Sequence, residues 1–124
     1  LEIRSLKDSV TEQAAEQFRS FMERRSRVSV SMTRSVWKGA VDLDPLLQDA
    51  VEKACGEAGV SCVRMPSGAS HDANPMAQIT RAGMIFVPSA KGISHSKDEY
   101  TPPEDCARGA DILARAILEA GLNL

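Results

Sequence analysis

Apolar residues recur at helical spacing in the first part of the chain. Ser9 and Glu12 form a capping box, the pattern in which two side chains bond free backbone N–H groups at the start of a helix. The apolar positions that follow are Val10, Ala14, Phe18, Phe21 and Met22. This spacing predicts a helix over about residues 9–26, and the arginines near its end complement the helix dipole.

Residues 44–59 carry the start and stop signals of a second helix. Asp44 is placed to cap the N-terminus, Pro45 suits the first helical position, and Gly59 suits the end of the helix, where a positive φ is common. The apolar positions between them are Leu47, Ala50, Val51, Ala54 and Ala58. Together these signals predict a helix with one apolar face.

A third long helix is predicted near the end of the chain. It begins after a second capping box, formed by Thr101 and Glu104, and ends at Gly121. Residues three and four apart lie on the same side of a helix. We therefore expect the inward face at Cys106, Ala110, Leu113 and Ile117.

Four segments between these helices carry strand patterns. Residues 1–4 suit a strand, and residues 28–37 begin with apolar positions that alternate with serine or threonine, as in a half-buried strand. Residues 62–65 form a short candidate strand. Residues 83–87 are an unbroken apolar run, as in a strand covered on both faces. Because helix and strand alternate, the sequence predicts an α/β fold with parallel strands.

The composition argues against two classes of partner. The chain has 15 Lys and Arg against 17 Asp and Glu, a net charge of -2, so it lacks the basic field that attracts nucleic acid or an anionic membrane. It also lacks the roughly 18 consecutive apolar residues of a membrane span, and no signal-peptide pattern opens it. The chain has three cysteines, Cys55, Cys62 and Cys106. They show no C-x-x-C spacing, and their neighbours in sequence are apolar, which suits small buried thiols in a reducing compartment. We expect a cytoplasmic protein.

The only two histidines, His71 and His95, each lie in a loop directly after a predicted buried strand. Ligands of open α/β sheets bind at the carboxyl ends of the strands, so parallel strands would bring both imidazoles to one edge. His95 lies in the polar loop 92–96, where a neutral imidazole can bind a divalent metal. The alternative is an ordinary surface histidine, because no second ligand stands at a recognisable spacing.

The loop around His71 allows several kinds of chemistry. His71 with Asp72 can serve as a metal ligand, a general base or a donor that polarises a substrate carbonyl. In the alternative interpretation, Asp72 only caps a short helix that runs through Ile79. Ser67 or Ser70 as a hydrolase nucleophile is disfavoured, because no G-x-S-x-G elbow surrounds them.

Arg4 is a candidate carboxylate clamp, because a guanidinium makes two parallel hydrogen bonds to a planar anion. The alternative is a solvated strand arginine. Arg24, Arg25 and Arg27 fit a helix C-terminus better than an anion site.

An ordered set of short motifs runs along the second half of the chain. In order, the motifs are Met65-Pro66-Ser67-Gly68-Ala69-Ser70-His71-Asp72-Ala73, Met76-Ala77, Gly83-Met84-Ile85-Phe86-Val87-Pro88-Ser89, Gly92-Ile93-Ser94-His95-Ser96, Glu99-Tyr100-Thr101 and Glu104-Asp105. With the opening Glu2-Ile3-Arg4, this set resembles the C-terminal signature of the hydantoinase/carbamoylase branch of the dinuclear-metal peptidase-like amidohydrolases. That branch includes N-carbamoyl-L-amino-acid hydrolases and allantoate amidohydrolases.

The resemblance implies an α/β fold in two parts. Residues 1–38 would be a β-α-β piece that ends an inserted lid domain, which in the family also makes a homodimer. Residues 39–124 would be the C-terminal part of a zinc-exopeptidase-like catalytic domain.

The resemblance also implies roles for individual residues. His95 matches the last metal ligand of the family, and Arg4 matches the lid arginine that holds the substrate carboxylate. His71 matches the loop histidine that contacts the substrate near the scissile carbamoyl or amidino group. Gly68 and Ser70 fall in the same substrate-binding loop, and Ser70 stands where the family commonly has glycine.

The activity implied is metal-dependent hydrolysis of non-peptide C–N bonds in linear amides, with N-carbamoyl amino acids, allantoate or related ureido acids as substrates. Two divalent metal ions, zinc, manganese, cobalt or nickel, would acidify the water that attacks the carbamoyl carbon. The other metal ligands and the glutamate general base of the family lie upstream of Leu1. We therefore expect an incomplete fragment that is inactive alone.

Two other hypotheses remain open. The chain could be a non-catalytic module from the same family, which binds a small carboxylate through Arg4 and His71 or dimerises. It could also be a plain α/β interaction domain whose motif match is coincidental.

Overall fold

A computed structural model of the protein describes residues 2–25 and 27–123, and the chain forms two compact units. The first unit consists of Leu1–Asp42 and Pro66–Ser70, and the second of Leu43–Met65 and His71–Leu124. The helices are α1 (Asp8–Arg25) in the first unit and, in the second, α2 (Pro45–Glu57), α3 (Ala73–Met76), a 3₁₀ turn (Ala90–Gly92) and α4 (Pro103–Asn123).

Helix α1 confirms the first predicted helix. Its first residue, Asp8, also holds the end of the first unit, because its Oδ1 accepts a hydrogen bond from the backbone N–H of Ala40 at 2.7 Å. A Cβ atom on Gly39 would lie 2.9 Å from Oδ2 of Asp8. The absence of a side chain at position 39 therefore allows this close approach.

Helix α2 confirms the predicted start and stop signals. The Asp44 carboxylate accepts hydrogen bonds from the backbone N–H groups of Leu46 at 2.8 Å and Leu47 at 3.4 Å. These bonds satisfy two of the donors that a helix leaves unpaired at its N-terminus. Gly59, just past the end, has φ of 66°, the left-handed conformation that glycine adopts without strain.

Helix α4 packs against α2, and their contact forms the core of the second unit. The buried residues of this core are Ala50, Ala54, Cys55, Ile112 and Ala116. A salt bridge of 2.7 Å between Lys53 and Glu119 lies beside it. Small side chains on both helices let the two backbones approach closely.

The predicted inward face of α4 is wrong. Leu113 is 50% exposed and Ile117 is 61% exposed, whereas Ile112 and Ala116 are buried. Successive residues turn by about 100° around a helix, so the buried stripe is displaced by one residue from the predicted one. Helix α4 has apolar residues on two neighbouring stripes, and the one with smaller residues contacts α2.

The strands of the predicted β-α-β piece and sheet are not confirmed. Among residues 2–25 and 27–123 the structure contains helices and turns but no β-strand, and Leu1 and Ser26 lie outside that part. A strand requires a hydrogen-bonded neighbour. The run 83–87 instead contacts the helices: Ile85 packs against the core.

The structure tests the expectation that the three cysteines are buried. Cys55 is buried, but Cys62 and Cys106 are exposed, so the prediction of buried thiols is wrong for these two. Cys62 lies on the segment after α2, and Cys106 lies on α4.

Among the described residues, none of the helices has the combination of length and apolarity needed to cross a bilayer.

Gly109 on α4 is expected to resist substitution by alanine. An added Cβ would lie 2.4 Å from Cγ1 of Val87, and a β-branched valine has few other rotamers. Overpacking costs about 1–3 kcal/mol, which outweighs the roughly 0.5–1 kcal/mol that alanine gains over glycine in a helix. We expect Gly109→Ala to lower the free energy of unfolding by about 1 kcal/mol in denaturant titrations.

Gly56→Ala is the matched control, because a Cβ on Gly56 meets nothing within 4 Å. It should raise stability by about 0.5–1 kcal/mol. Equal stabilisation by both substitutions would contradict the packing of Val87 on α4.

Candidate functional site

Arg4 and the loop Pro66–Ser70 meet within the first unit. The Nη1 atom of Arg4 donates a hydrogen bond to the carbonyl oxygen of Gly68 at 2.7 Å, across 64 positions of the chain. Its Nε and Nη2 atoms donate to Oε1 of Glu2 at 2.8 and 2.7 Å. The guanidinium is therefore bonded on two sides. Its Nε–Nη2 edge is the edge that can make two parallel hydrogen bonds to a carboxylate, and here this edge binds Glu2.

A second cation lies at the same loop. The Nζ atom of Lys38 donates to Oγ of Ser70 at 3.3 Å. The loop also has an internal hydrogen bond, because the backbone N–H of Ala69 donates to Oγ of Ser67 at 3.2 Å. Sequence reasoning missed Lys38, because no local pattern links it to a residue 32 positions away.

His71 belongs to the second unit and is partly buried. Its ring meets Phe86 edge-on, with centroids 5.5 Å apart and planes at 66°. Its carbonyl oxygen accepts a hydrogen bond from the backbone N–H of Asn74, at the start of α3. Asp72 occupies the N-cap position of α3 but makes no side-chain cap hydrogen bond. Helix α3 is shorter than predicted, and Asp72 does not serve it as a side-chain cap.

The loop around His95 is closed by hydrogen bonds at its base. The backbone N–H of Ala90 donates to the carbonyl oxygen of Tyr100 at 2.7 Å. The Oγ atom of Ser89 donates to the carbonyl oxygen of Ile93 at 2.5 Å. These bonds join the two ends of the loop and fix the segment before His95.

His95 has an uncommon backbone conformation. Its φ is 55°, and Lys91 and Gly92 also have positive φ in the same loop. Non-glycine residues adopt this region at a cost, and such conformations concentrate at functional sites. The backbone N–H of His95 donates to Oε2 of Glu99 at 2.7 Å, which holds the strained position. The bond places the Glu99 carboxylate at the backbone of His95.

The described residues do not make a complete metal site. Among residues 2–25 and 27–123, no group of three or more histidine, cysteine, aspartate or glutamate side chains is placed to hold a metal ion. His95 by itself offers a single imidazole ligand. The convergence of His71 and His95 at one sheet edge depended on parallel strands and stays a prediction.

Comparison with known proteins decides the family. The chain matches the peptidase family M20/M25/M40 over residues 6–119. It belongs to this family. The family fits an α/β catalytic domain, which is the coarse fold class that the sequence predicted.

Curated relatives narrow the resemblance within that family. An N-carbamoyl-L-amino acid amidohydrolase of Geobacillus stearothermophilus is 43% identical over 72 residues, 58% of this chain and 18% of the relative. An allantoate amidohydrolase of Bacillus subtilis is 42% identical over 79 residues, 64% of this chain and 18% of the relative. A ureidoglycolate hydrolase of Arabidopsis thaliana is 39% identical over 80 residues, 64% of this chain and 17% of the relative.

These relatives confirm the resemblance to the hydantoinase/carbamoylase-type amidohydrolases. The matches cover about a sixth of the length of these relatives, from 17% to 18%.

Proposed function

We propose that this M20-family chain supplies the C-terminal part of a metal-dependent amidohydrolase. The proposed reaction is hydrolysis of a non-peptide C–N bond in a linear amide, either an N-carbamoyl amino acid or allantoate and related ureido acids. The relatives act, by their names, on compounds of this class. These compounds share a carboxylate and a ureido or amidino group, so the enzyme must recognise both.

The hydrogen bond from Arg4 to Gly68 is the observation that carries the proposal. It joins the expected carboxylate clamp to the expected substrate loop, although the two are far apart in sequence. A substrate carboxylate would displace Glu2 from the Nε–Nη2 edge, while Gly68 continues to hold Nη1. Lys38, on Ser70 of the same loop, adds a second positive charge for the same anion.

The histidines have separate roles in the proposal. His71, oriented by Phe86, donates a hydrogen bond to the carbonyl oxygen of the scissile group. His95 supplies one ligand to a pair of divalent metal ions, zinc, manganese, cobalt or nickel. The remaining ligands and the general base belong to parts of the protein outside this chain. In this proposal the protein is a cytoplasmic homodimer. Residues 1–38 belong to the lid and dimerisation domain, and residues 39–124 belong to the catalytic domain.

A second candidate is a non-catalytic module that binds a small carboxylate or dimerises. It is favoured by the Arg4 contact itself, because Arg4, Gly68 and Ser70 lie together in one unit and can hold an anion without any chemistry. This module would bind N-carbamoyl amino acids or allantoate and release no product.

A substrate panel separates the candidates. The protein, expressed from its whole coding region, is supplied with each divalent metal and with an N-carbamoyl-L-amino acid, allantoate, ureidoglycolate or a dipeptide. Ammonia release from at least one ureido compound, with no cleavage of the dipeptide, is expected. Calorimetric binding without ammonia would favour the module, and cleavage of the dipeptide alone would contradict both.

Glu2→Gln is expected to lower the KM for the carboxylate substrate. Glu2 occupies the edge of Arg4 that the substrate needs, and a neutral amide competes less strongly for it. The change should be about two- to fivefold, because an exposed ion pair is worth ~1 kcal/mol or less. Steady-state kinetics measure it. Glu12→Gln, which breaks the pair with Arg34 in the same unit, is the control and should leave KM unchanged.

A further inference from the structure

The segment after α2 returns along the helix and is tied to it at two points. The backbone N–H of Val60 donates to the carbonyl oxygen of Cys55 at 2.9 Å. Four residues later, the guanidinium of Arg64 pairs with Glu52 at 2.7 Å and with Asp49. The segment between these two bonds is therefore held beside the second half of α2.

Cys62 lies midway between the two ties. Val60 packs against the core and Arg64 reaches acidic residues of α2, so the chain at Cys62, between them, runs beside the helix. The residue of α2 that lies beside Cys62 is Cys55, because the two thiols interact with each other.

The two thiols differ in their surroundings. Cys55 is buried, whereas Cys62 is exposed. Burial, followed by the contact with Cys62, raises the pKa of the Cys55 thiol. The exposed Cys62 is therefore the thiol that a reagent in solution reaches first. Cys55 is the neighbouring thiol that can then react with the oxidised Cys62.

We propose that Cys55 and Cys62 are a site of reversible disulfide formation when the protein meets a hydroperoxide. The Cys62 thiolate attacks the peroxide oxygen and becomes a sulfenic acid, and the peroxide leaves as the alcohol, or as water from hydrogen peroxide. The Cys55 sulfur then attacks the Cys62 sulfur, the S–S bond forms, and the hydroxyl leaves with the Cys55 proton as water. The two thiols are oxidised by two electrons, and the peroxide is reduced. A dithiol such as dithiothreitol reverses the change by exchange.

This disulfide would lock the turn at Gly59 and fix the start of the segment that leads in sequence to the loop Pro66–Ser70. The site is independent of the proposed hydrolase activity. It depends only on the packing of residues 55–64, all within the second unit.

Peptide mapping after mild treatment with hydrogen peroxide tests the proposal. The whole protein is oxidised in its folded state, alkylated and digested with trypsin, which cuts after Lys53 and Arg64 and leaves both cysteines in one peptide. We expect this peptide to lose two hydrogens and to resist alkylation. A second cut after Glu57, which lies between the cysteines, should leave two pieces that separate only on reduction.

Two variants and one condition serve as controls. Cys106→Ser should leave the product unchanged, because the Cys106 thiol contacts the carbonyl oxygen of Thr101 rather than the pair. Cys62→Ser should leave Cys55 as a free thiol, and oxidation in denaturant should give far less of the linked peptide. Free alkylation of both thiols after peroxide, over-oxidation of Cys62 without the bond, or pairing with Cys106 would overturn the proposal.

Discussion

Replacing His95 by alanine is expected to lower kcat/KM of the whole protein by more than about a hundredfold, because loss of an outer-shell partner of a metal ligand alone costs about 10–100-fold. The strained backbone of His95, held by Glu99, is the structural sign of a residue whose position matters. The metal content per chain should fall as well. Elemental analysis of the purified variant, together with ammonia release, measures both quantities.

His71→Ala is the matched comparison, since it removes the only other histidine of the chain. It should lower kcat while the metal content stays at the wild-type value, because His71 contacts the substrate in this proposal. Full metal content and full activity in His95→Ala would show that His95 is an ordinary surface histidine.

Replacing Arg4 is expected to have the second large effect. Charge-assisted hydrogen bonds are worth about 1.5–3 kcal/mol, so Arg4→Ala should lower kcat/KM by about 10–100-fold, mostly through KM. Arg4→Lys should recover only part of this loss, because an ammonium group cannot make two parallel hydrogen bonds to a carboxylate. Steady-state kinetics on an N-carbamoyl amino acid measure the series.

The substrate provides the sharpest control for Arg4. A substrate whose carboxylate is replaced by a neutral amide should be turned over equally by the wild type and by Arg4→Ala. Arg34→Lys, at an exposed arginine of the same unit that stacks on Trp37, should change neither constant. An equal loss with the neutral substrate would mean that Arg4 supports the loop at Gly68 and does not bind the carboxylate.

Helix boundaries were predictable because their signals are local. Asp44, Pro45 and Gly59 act within one turn of the residues they affect, and the structure shows Asp44 bonding the expected N–H groups and Gly59 in the left-handed conformation. Helix α1 begins at Asp8, one residue before the predicted start, and Glu12 of the predicted capping box pairs with Arg34. Local signals decide where a helix begins and ends, since its end groups must be satisfied nearby.

The features that the sequence did not predict correctly depend on contacts between residues far apart in the chain. The buried face of α4 depends on which of two apolar stripes meets α2, and periodicity cannot choose between neighbouring stripes. The strands depend on hydrogen-bonded neighbours that the described residues do not supply. Lys38 meets Ser70 only through the fold.

In the candidate site, the residues around Arg4 were predictable from the sequence, but the roles of the two histidines were not. Arg4, Gly68 and Ser70 were named from sequence and lie together in one unit. The roles of His71 and His95 came from the resemblance, because neither residue has a second ligand or catalytic partner at a recognisable spacing. Their roles, like that of Arg4, stay predictions until they are tested in the whole protein.

The most direct test of the central proposal is ammonia release from an N-carbamoyl-L-amino acid and from allantoate by the whole protein, before and after removal of bound metal by a chelator. The proposal predicts activity with at least one of the two, its loss on chelation, and its return when a divalent metal is added back. Ammonia release that persists in the fully metal-free protein, or no release from either compound with any of the four metals, would contradict it.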